Sequence, residues 1–201
     1  VAAHAYLALA GALLAPPPPR LVAIGGLAGT GKSTLARRLA PDIGAVPGAL
    51  IVRSDVVRKS LFGVAPTVRL DQSAYAPEVS RRVYDQIADR ARQALEAGHS
   101  VIADAVFGDV HEREAIAQVA RQTGVPFTGV WLEAPFDVAA SRIRRRKDDA
   151  SDATVAVLEQ QQARSPGAID WISLDASTDV DALARQAVTA LGGHGVREAH
   201  E

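Results

Sequence analysis

Residues 21–35 read LVAIGGLAGTGKSTL: an apolar run, a glycine-rich loop and the start of a helix. Gly26, Gly31, Lys32 and Ser33 fill the spacing G-x-x-x-x-G-K-S/T of a phosphate-binding P-loop. Such a loop turns its backbone N–H groups inward, toward phosphate oxygens. Glycine is needed where a Cβ would block either the backbone angle or the approaching phosphate. Lys32 supplies a compact positive charge at the β- and γ-phosphates, and the Ser33 hydroxyl is placed to bind Mg2+. The helix that starts at Lys32 points its positive dipole end at the same anion. The predicted nucleotide-binding set is therefore Gly26, Leu27, Ala28, Gly29, Thr30, Gly31, Lys32, Ser33 and Thr34. ATP and Mg2+ are the expected cofactors.

The four fixed positions fall together by chance in roughly one chain in a hundred. Their surroundings narrow that further. Leu21, Val22, Ala23 and Ile24 lead into the loop, and Leu35, Ala36, Leu39 and Ala40 follow it at helical spacing.

At 201 residues the chain is long enough for one α/β domain with a core of its own. A net charge of −1 gives no sign of a polyanion-binding surface. Cysteine is absent, which excludes a disulfide framework, a thiolate metal site and a thiol nucleophile. No apolar run approaches the length of a membrane span. These features suit a cytoplasmic protein. Residues 1–15 are rich in Ala and Leu with Tyr6, Leu9 and Leu13 at helical spacing, and residues 16–19 are all proline. The basic start of a signal peptide is missing. Residues 1–19 are expected to be the helical tail of an upstream domain and a stiff linker, within a longer, fused protein.

Strands are predicted at 49–53, 100–104, 127–132 and 171–174. Helices are predicted at 75–95, from the Asp109–Glu112 capping box to Arg121, and at 135–146, 153–164 and 180–191. Val79, Val83, Ile87 and Ala91 form one face of the second helix after the loop, which Gly98 closes. Strands alternating with helices mean a parallel sheet covered on both faces. The domain spans 20–192, and 193–201 looks frayed.

Ligands of such sheets sit beyond the carboxyl ends of the strands. Asp104 ends the apolar Val101-Ile102-Ala103, where a carboxylate can hold Mg2+ or its water shell, or cap a turn. Asp55 and Arg58 stand about one helical turn apart. Asp55 can take a proton from an acceptor hydroxyl and Arg58 can hold the acceptor; the alternative is an N-cap with a surface pair. Residues 142–147, RIRRRK, carry the densest positive charge. Arg142 and Arg146 share a helix face, and with Arg145 they would form a lid, around 142–153, that closes on the triphosphate. The alternative is a solvated basic helix end. Phe107, Tyr75, Arg81, Arg82 and His111 are weaker candidates for the acceptor side, and Trp131 and Trp171 are expected in the core.

With the P-loop, Asp55-x-x-Arg58 and the arginine-rich lid, the chain resembles the small P-loop kinases. These include gluconate kinase, the kinase part of polynucleotide kinase, chloramphenicol phosphotransferase and zeta toxins. The resemblance implies a P-loop NTPase three-layer sandwich, a five-stranded parallel sheet of order 2-3-1-4-5. That order sets Asp104 beside the loop, as metal ligand, and Asp55 further out, as base. RLVAIGGLAGTGKSTLARRLAP, IVRSDVVRKSLFGV, AGHSVIADAVF and DASDA are similar to the ATP-binding half of bacterial bifunctional proteins. In these an aminoglycoside-phosphotransferase-like domain precedes a P-loop kinase-like domain. The acceptor is not implied by it.

The expected activity is transfer of the γ-phosphate of ATP to a hydroxyl of a small metabolite, through Lys32, Asp55, Arg58, Arg142 and Arg146. Two other readings stay open. One is a nucleotide-binding regulatory module of a fused protein, with a filled acceptor side. The other is a polynucleotide 5′-hydroxyl kinase, against which the near-neutral charge argues. Nucleic acid and membrane partners are not expected.

Overall fold

The apolar run before the loop becomes the central strand. In a computed structural model, which describes residues 2–146, 149–164 and 166–192, β1 covers Leu21–Gly26 and all six of its residues are buried. The other strands are β2 (Leu50–Arg53), β3 (Val101–Asp104), β4 (Phe127–Glu133) and β5 (Ile172–Asp175). All pairings are parallel and the order is β2-β3-β1-β4-β5, as the resemblance implies.

The helices are α1 (Ala2–Leu14), α2 (Lys32–Leu39), α3 (Ser54–Leu61), α4 (Pro77–Glu96), α5 (Val110–Thr123), α6 (Phe136–Arg145), α7 (Val155–Ala163) and α8 (Val180–Ala190). Alternate residues of β1 face opposite layers, as the two-residue period of a strand requires. Leu21 and Ala23 join Val83, Ile87, Ile116 and Val119 of α4 and α5. Val22 and Ile24 join Leu35 and Leu39 of α2 and Leu183 of α8. Each large apolar side chain buried this way stabilises the fold by roughly 1.5–3 kcal/mol. Trp131 and Trp171 lie in the first of these clusters, as expected.

Element bounds differ from the predicted ones where proline or a tertiary contact intervenes. The helix predicted from residue 75 starts at Pro77, which suits a first-turn position, and residues 72–75 form a separate 3-10 turn. The capping box of Asp109 and Glu112 is formed, and Gly98 takes a left-handed φ of 84° just past α4. Tyr6, Leu7, Leu13 and Leu14 of α1 are exposed. Among the described residues no helix is long and apolar enough to cross a membrane. The predicted frayed segment 193–201, and Lys147 and Asp148 within the predicted lid, lie outside the described residues.

Candidate functional site

β1 delivers the loop to the carboxyl edge of the sheet, and three glycines let it turn there. Gly26, Gly29 and Gly31 have φ of 137°, 81° and 96°, a region that L side chains rarely adopt. At Gly29 a Cβ would come within 2.4 Å of the Ala139 carbonyl oxygen, so the loop is pressed against α6. Among the described residues the N–H groups of Gly31, Lys32 and Ser33 have no hydrogen-bond partner, at the N-terminus of α2. This concave set of donors is what a polyphosphate needs. The Ala28 N–H is taken by Gln161 Oε1 of α7 at 2.8 Å, a contact that nothing in the sequence signals. Gly26 and Thr30 hold the loop itself. The Gly26 N–H donates to Val106 O at 3.1 Å and the buried Thr30 hydroxyl to Leu27 O at 2.9 Å.

Lys32 Nζ donates to the carbonyls of Gly26 and Leu27, each at 2.7 Å. Burial pushes its pKa from 10.5 down to about 8, against Asp104 and Asp55, which favour the charged form. Asp104 is buried, and burial pushes its carboxyl up while Lys32, Ser33 and Arg53 pull it down. Among the described residues its Oδ2 has no hydrogen-bond partner. A buried acceptor left open beside Ser33 and an anion-binding loop fits a divalent cation. Among the described residues no three His, Cys, Asp or Glu side chains converge to hold a metal by themselves. An ion here would complete its shell with phosphate oxygens and water.

A cleft of about 1850 Å3 opens from the loop and runs past Asp55 to Arg69, Tyr75 and Arg81. This exceeds the usual volume of a single small-molecule pocket, roughly 300–1,000 Å3. Asp55 lines it from the first turn of α3. Arg58 lines it too, but its guanidinium is already held: Nη1 donates to Ala74 O at 2.6 Å, and the group stacks on Tyr75 at 4.6 Å. Arg58, the expected acceptor ligand, therefore also braces the wall of the cleft that it lines.

The predicted lid arginines separate. Arg142 Nη1 stands 3.5 Å from Thr30 O, over the loop. Arg146 lines the cleft with Nη1 buried and, among the described residues, without a hydrogen-bond partner, which suits an anion. Arg145 is exposed and, like Arg142, does not line the cleft. Phe107 is wholly buried against Tyr84 and Trp171, at a left-handed φ of 51°, and does not line the cleft. Tyr75 and Arg81 do line it, whereas Arg82 and His111 do not.

Two residues on β2 and α3 were not foreseen. Arg53 reaches Asp149, at 2.5 Å, and Asp55, at 3.5 Å. Lys59, 1% exposed, pairs with Asp152 at 2.5 Å. Asp152 also accepts from the Tyr75 hydroxyl at 2.6 Å and the Leu70 N–H at 3.1 Å. The Asp149-Ala-Ser-Asp152-Ala stretch thus ties the segment after α6 to the far wall of the cleft.

Comparison with known proteins places the fold. Residues 21–166 match the AAA_33 family model, described as an AAA domain. The chain is 37% identical over 157 residues to the uncharacterized protein Rv2004c of Mycobacterium tuberculosis (strain ATCC 25618 / H37Rv), covering 76% of this chain and 30% of that one. It therefore spans under a third of that relative's length. It is 32% identical over 117 residues to the adenylyl-sulfate kinase of Myxococcus xanthus (strain DK1622), covering 58% of this chain and 59% of that one. A gluconokinase structure from Sinorhizobium meliloti 1021 superposes with a TM-score of 0.60 at 18% identity, covering 89% of this chain and 95% of that one, and shows the shared fold. With its loop, sheet order and match over residues 21–166, the chain belongs to the AAA_33 AAA-domain family and has a P-loop kinase-like fold related to small-molecule kinases.

Proposed function

We propose that this chain is an ATP- and Mg2+-dependent phosphotransferase that moves the γ-phosphate to a hydroxyl of a small metabolite. One observation carries the reading: the cleft continues from the phosphate loop past Asp55 and stays open there. A nucleotide switch without an acceptor has no use for that space.

The Gly31, Lys32 and Ser33 N–H groups and the Lys32 ammonium bind the β- and γ-phosphates. Ser33 and Asp104 would hold Mg2+, which neutralises charge on those phosphates when bound. Asp55 takes the proton of the acceptor hydroxyl, whose oxygen bonds to the γ-phosphorus as the bond to the β–γ bridging oxygen breaks and ADP leaves. Arg146 and Arg142 offset charge on the transferring group and its leaving partner. Most of the catalysis is positioning and charge neutralisation.

A screen of sugars, sugar acids, aminoglycosides and nucleosides for acceptor-dependent ADP release tests this. At least one class is expected to raise ADP formation well above hydrolysis by water. A flat response to every class overturns the reading.

A further inference from the structure

Arg53 has no part in the transfer scheme, yet it faces three carboxylates. It closes β2 as the register partner of Asp104 on β3, so the two side chains stand side by side at the sheet edge. Arg53 Nε is 3.8 Å from Asp104 Oδ2, too far for a hydrogen bond, and among the described residues both atoms are buried without a partner. The other edge of the guanidinium grips Asp149, with Nη2 to Oδ1 at 2.5 Å and Nη1 to Oδ2 at 3.4 Å. Nη2 is also 3.5 Å from Asp55.

Asp149 is itself fixed from its own side. Its Oδ1 accepts from the Ser151 N–H at 2.8 Å, and Asp152, three residues on, is anchored by Lys59, Tyr75 and the Leu70 N–H. A guanidinium is a rigid planar fork, so the carboxylate that takes its Nη edge decides where Nε points. An arginine beside a buried carboxylate normally closes to about 2.8 Å. Here a pull from the opposite side keeps the gap open by roughly an ångström beyond that contact.

We infer that Asp149 and Arg53 are a positioning pair: Asp149 holds the guanidinium off Asp104, and so leaves Asp104 Oδ2 open for a divalent cation. The inference rests on the metal role given to Asp104 above. It also gives the DASDA stretch a task. The cation site is complete only when the segment carrying Asp149 is docked across the cleft.

The test is binding of Mn2+ with β,γ-imido ATP to the whole chain, followed by the electron-spin-resonance signal of free Mn2+. Thermal unfolding of each variant checks its fold. The native chain is expected to bind Mn2+ with the nucleotide. Asp149→Asn releases Arg53 onto Asp104, and binding weakens about tenfold, the worth of one charge-assisted hydrogen bond. Adding Arg53→Gln removes the competitor and restores affinity to within about threefold of native, on the same hydrogen-bond arithmetic. Arg53→Gln alone binds at least as tightly as native. Native-like binding by Asp149→Asn overturns the inference. So does a double variant as weak as Asp149→Asn, which would mean that Asp149 only packs the segment, and so does a tenfold loss in Arg53→Gln alone. Absence of Mn2+-dependent nucleotide binding by the native chain overturns the metal site itself, a separate and visible failure.

Discussion

The ammonium of Lys32 donates to the carbonyl oxygen of Gly26 at 2.7 Å, so the loop carries its own placeholder for the phosphate. Burial holds that ammonium at a pKa of about 8, with Asp104 and Asp55 opposing the fall. Below about pH 8 the free chain already carries the charge. Above it the free lysine is neutral, and a polyphosphate, which stabilises the cation, must draw in a proton. Affinity for MgATP should therefore fall as pH rises through about 8. Calorimetry in two buffers of different ionisation enthalpy reads the proton directly. Uptake is expected at pH ~9 and little at pH ~7.

Asp55 lines the cleft from the first turn of α3. Asp55→Asn should cut transfer by about 10²–10⁴-fold, the usual worth of a general base, while nucleotide affinity stays within about threefold. Single-turnover transfer together with nucleotide titration separates the two effects. Equal transfer by the variant removes Asp55 from the mechanism.

The Lys59–Asp152 pair is nearly dry: its side chains are 1% and 10% exposed. Burial pushes the Asp152 carboxyl up, but hydrogen bonds from Lys59, Tyr75 and Leu70 hold it below its ordinary value. Removing one partner strands a buried charge. Asp152→Ala should cost about 3–5 kcal/mol in urea denaturation, and Lys59→Met clearly less. The reverse order contradicts the assignment of this pair as a buried strut.

Gly29 and Gly98 share a left-handed backbone, with φ of 81° and 84°, but not their surroundings. A Cβ at Gly29 meets the Ala139 carbonyl oxygen at 2.4 Å, whereas one at Gly98 meets nothing within 4 Å. Gly98→Ala should cost only the backbone term, about 1–2 kcal/mol. Gly29→Ala should cost more than that and abolish nucleotide binding, since either the loop or α6 must move. Thermal unfolding and nucleotide titration of the two variants check this.

What could be read in advance was whatever is local in the chain. The strand, loop and helix of residues 21–39 are contiguous, and Asp104 is marked by the apolar strand that it ends. α3 was missed because Ser54–Leu61 follows β2 without a break and is only eight residues long, so Val57 and Leu61 are all that marks its inward face. Arg53 was illegible for a different reason. Its part depends on the β2–β3 register and on Asp149, 96 positions away. Gln161, 133 positions from the Ala28 N–H that it occupies, shares that cause. Phe107, a weaker candidate for the acceptor side, lies in the core. Its left-handed φ, with Tyr84 Oη accepting from its N–H at 3.1 Å, turns the ring into the core instead.

The most direct measurement is a calorimetric titration of MgATP into the native chain, Asp55→Asn and Lys32→Met. The account predicts one site in the native chain, the same site in Asp55→Asn, and no measurable heat in Lys32→Met. No heat from the native chain, or undiminished binding by Lys32→Met, would contradict it.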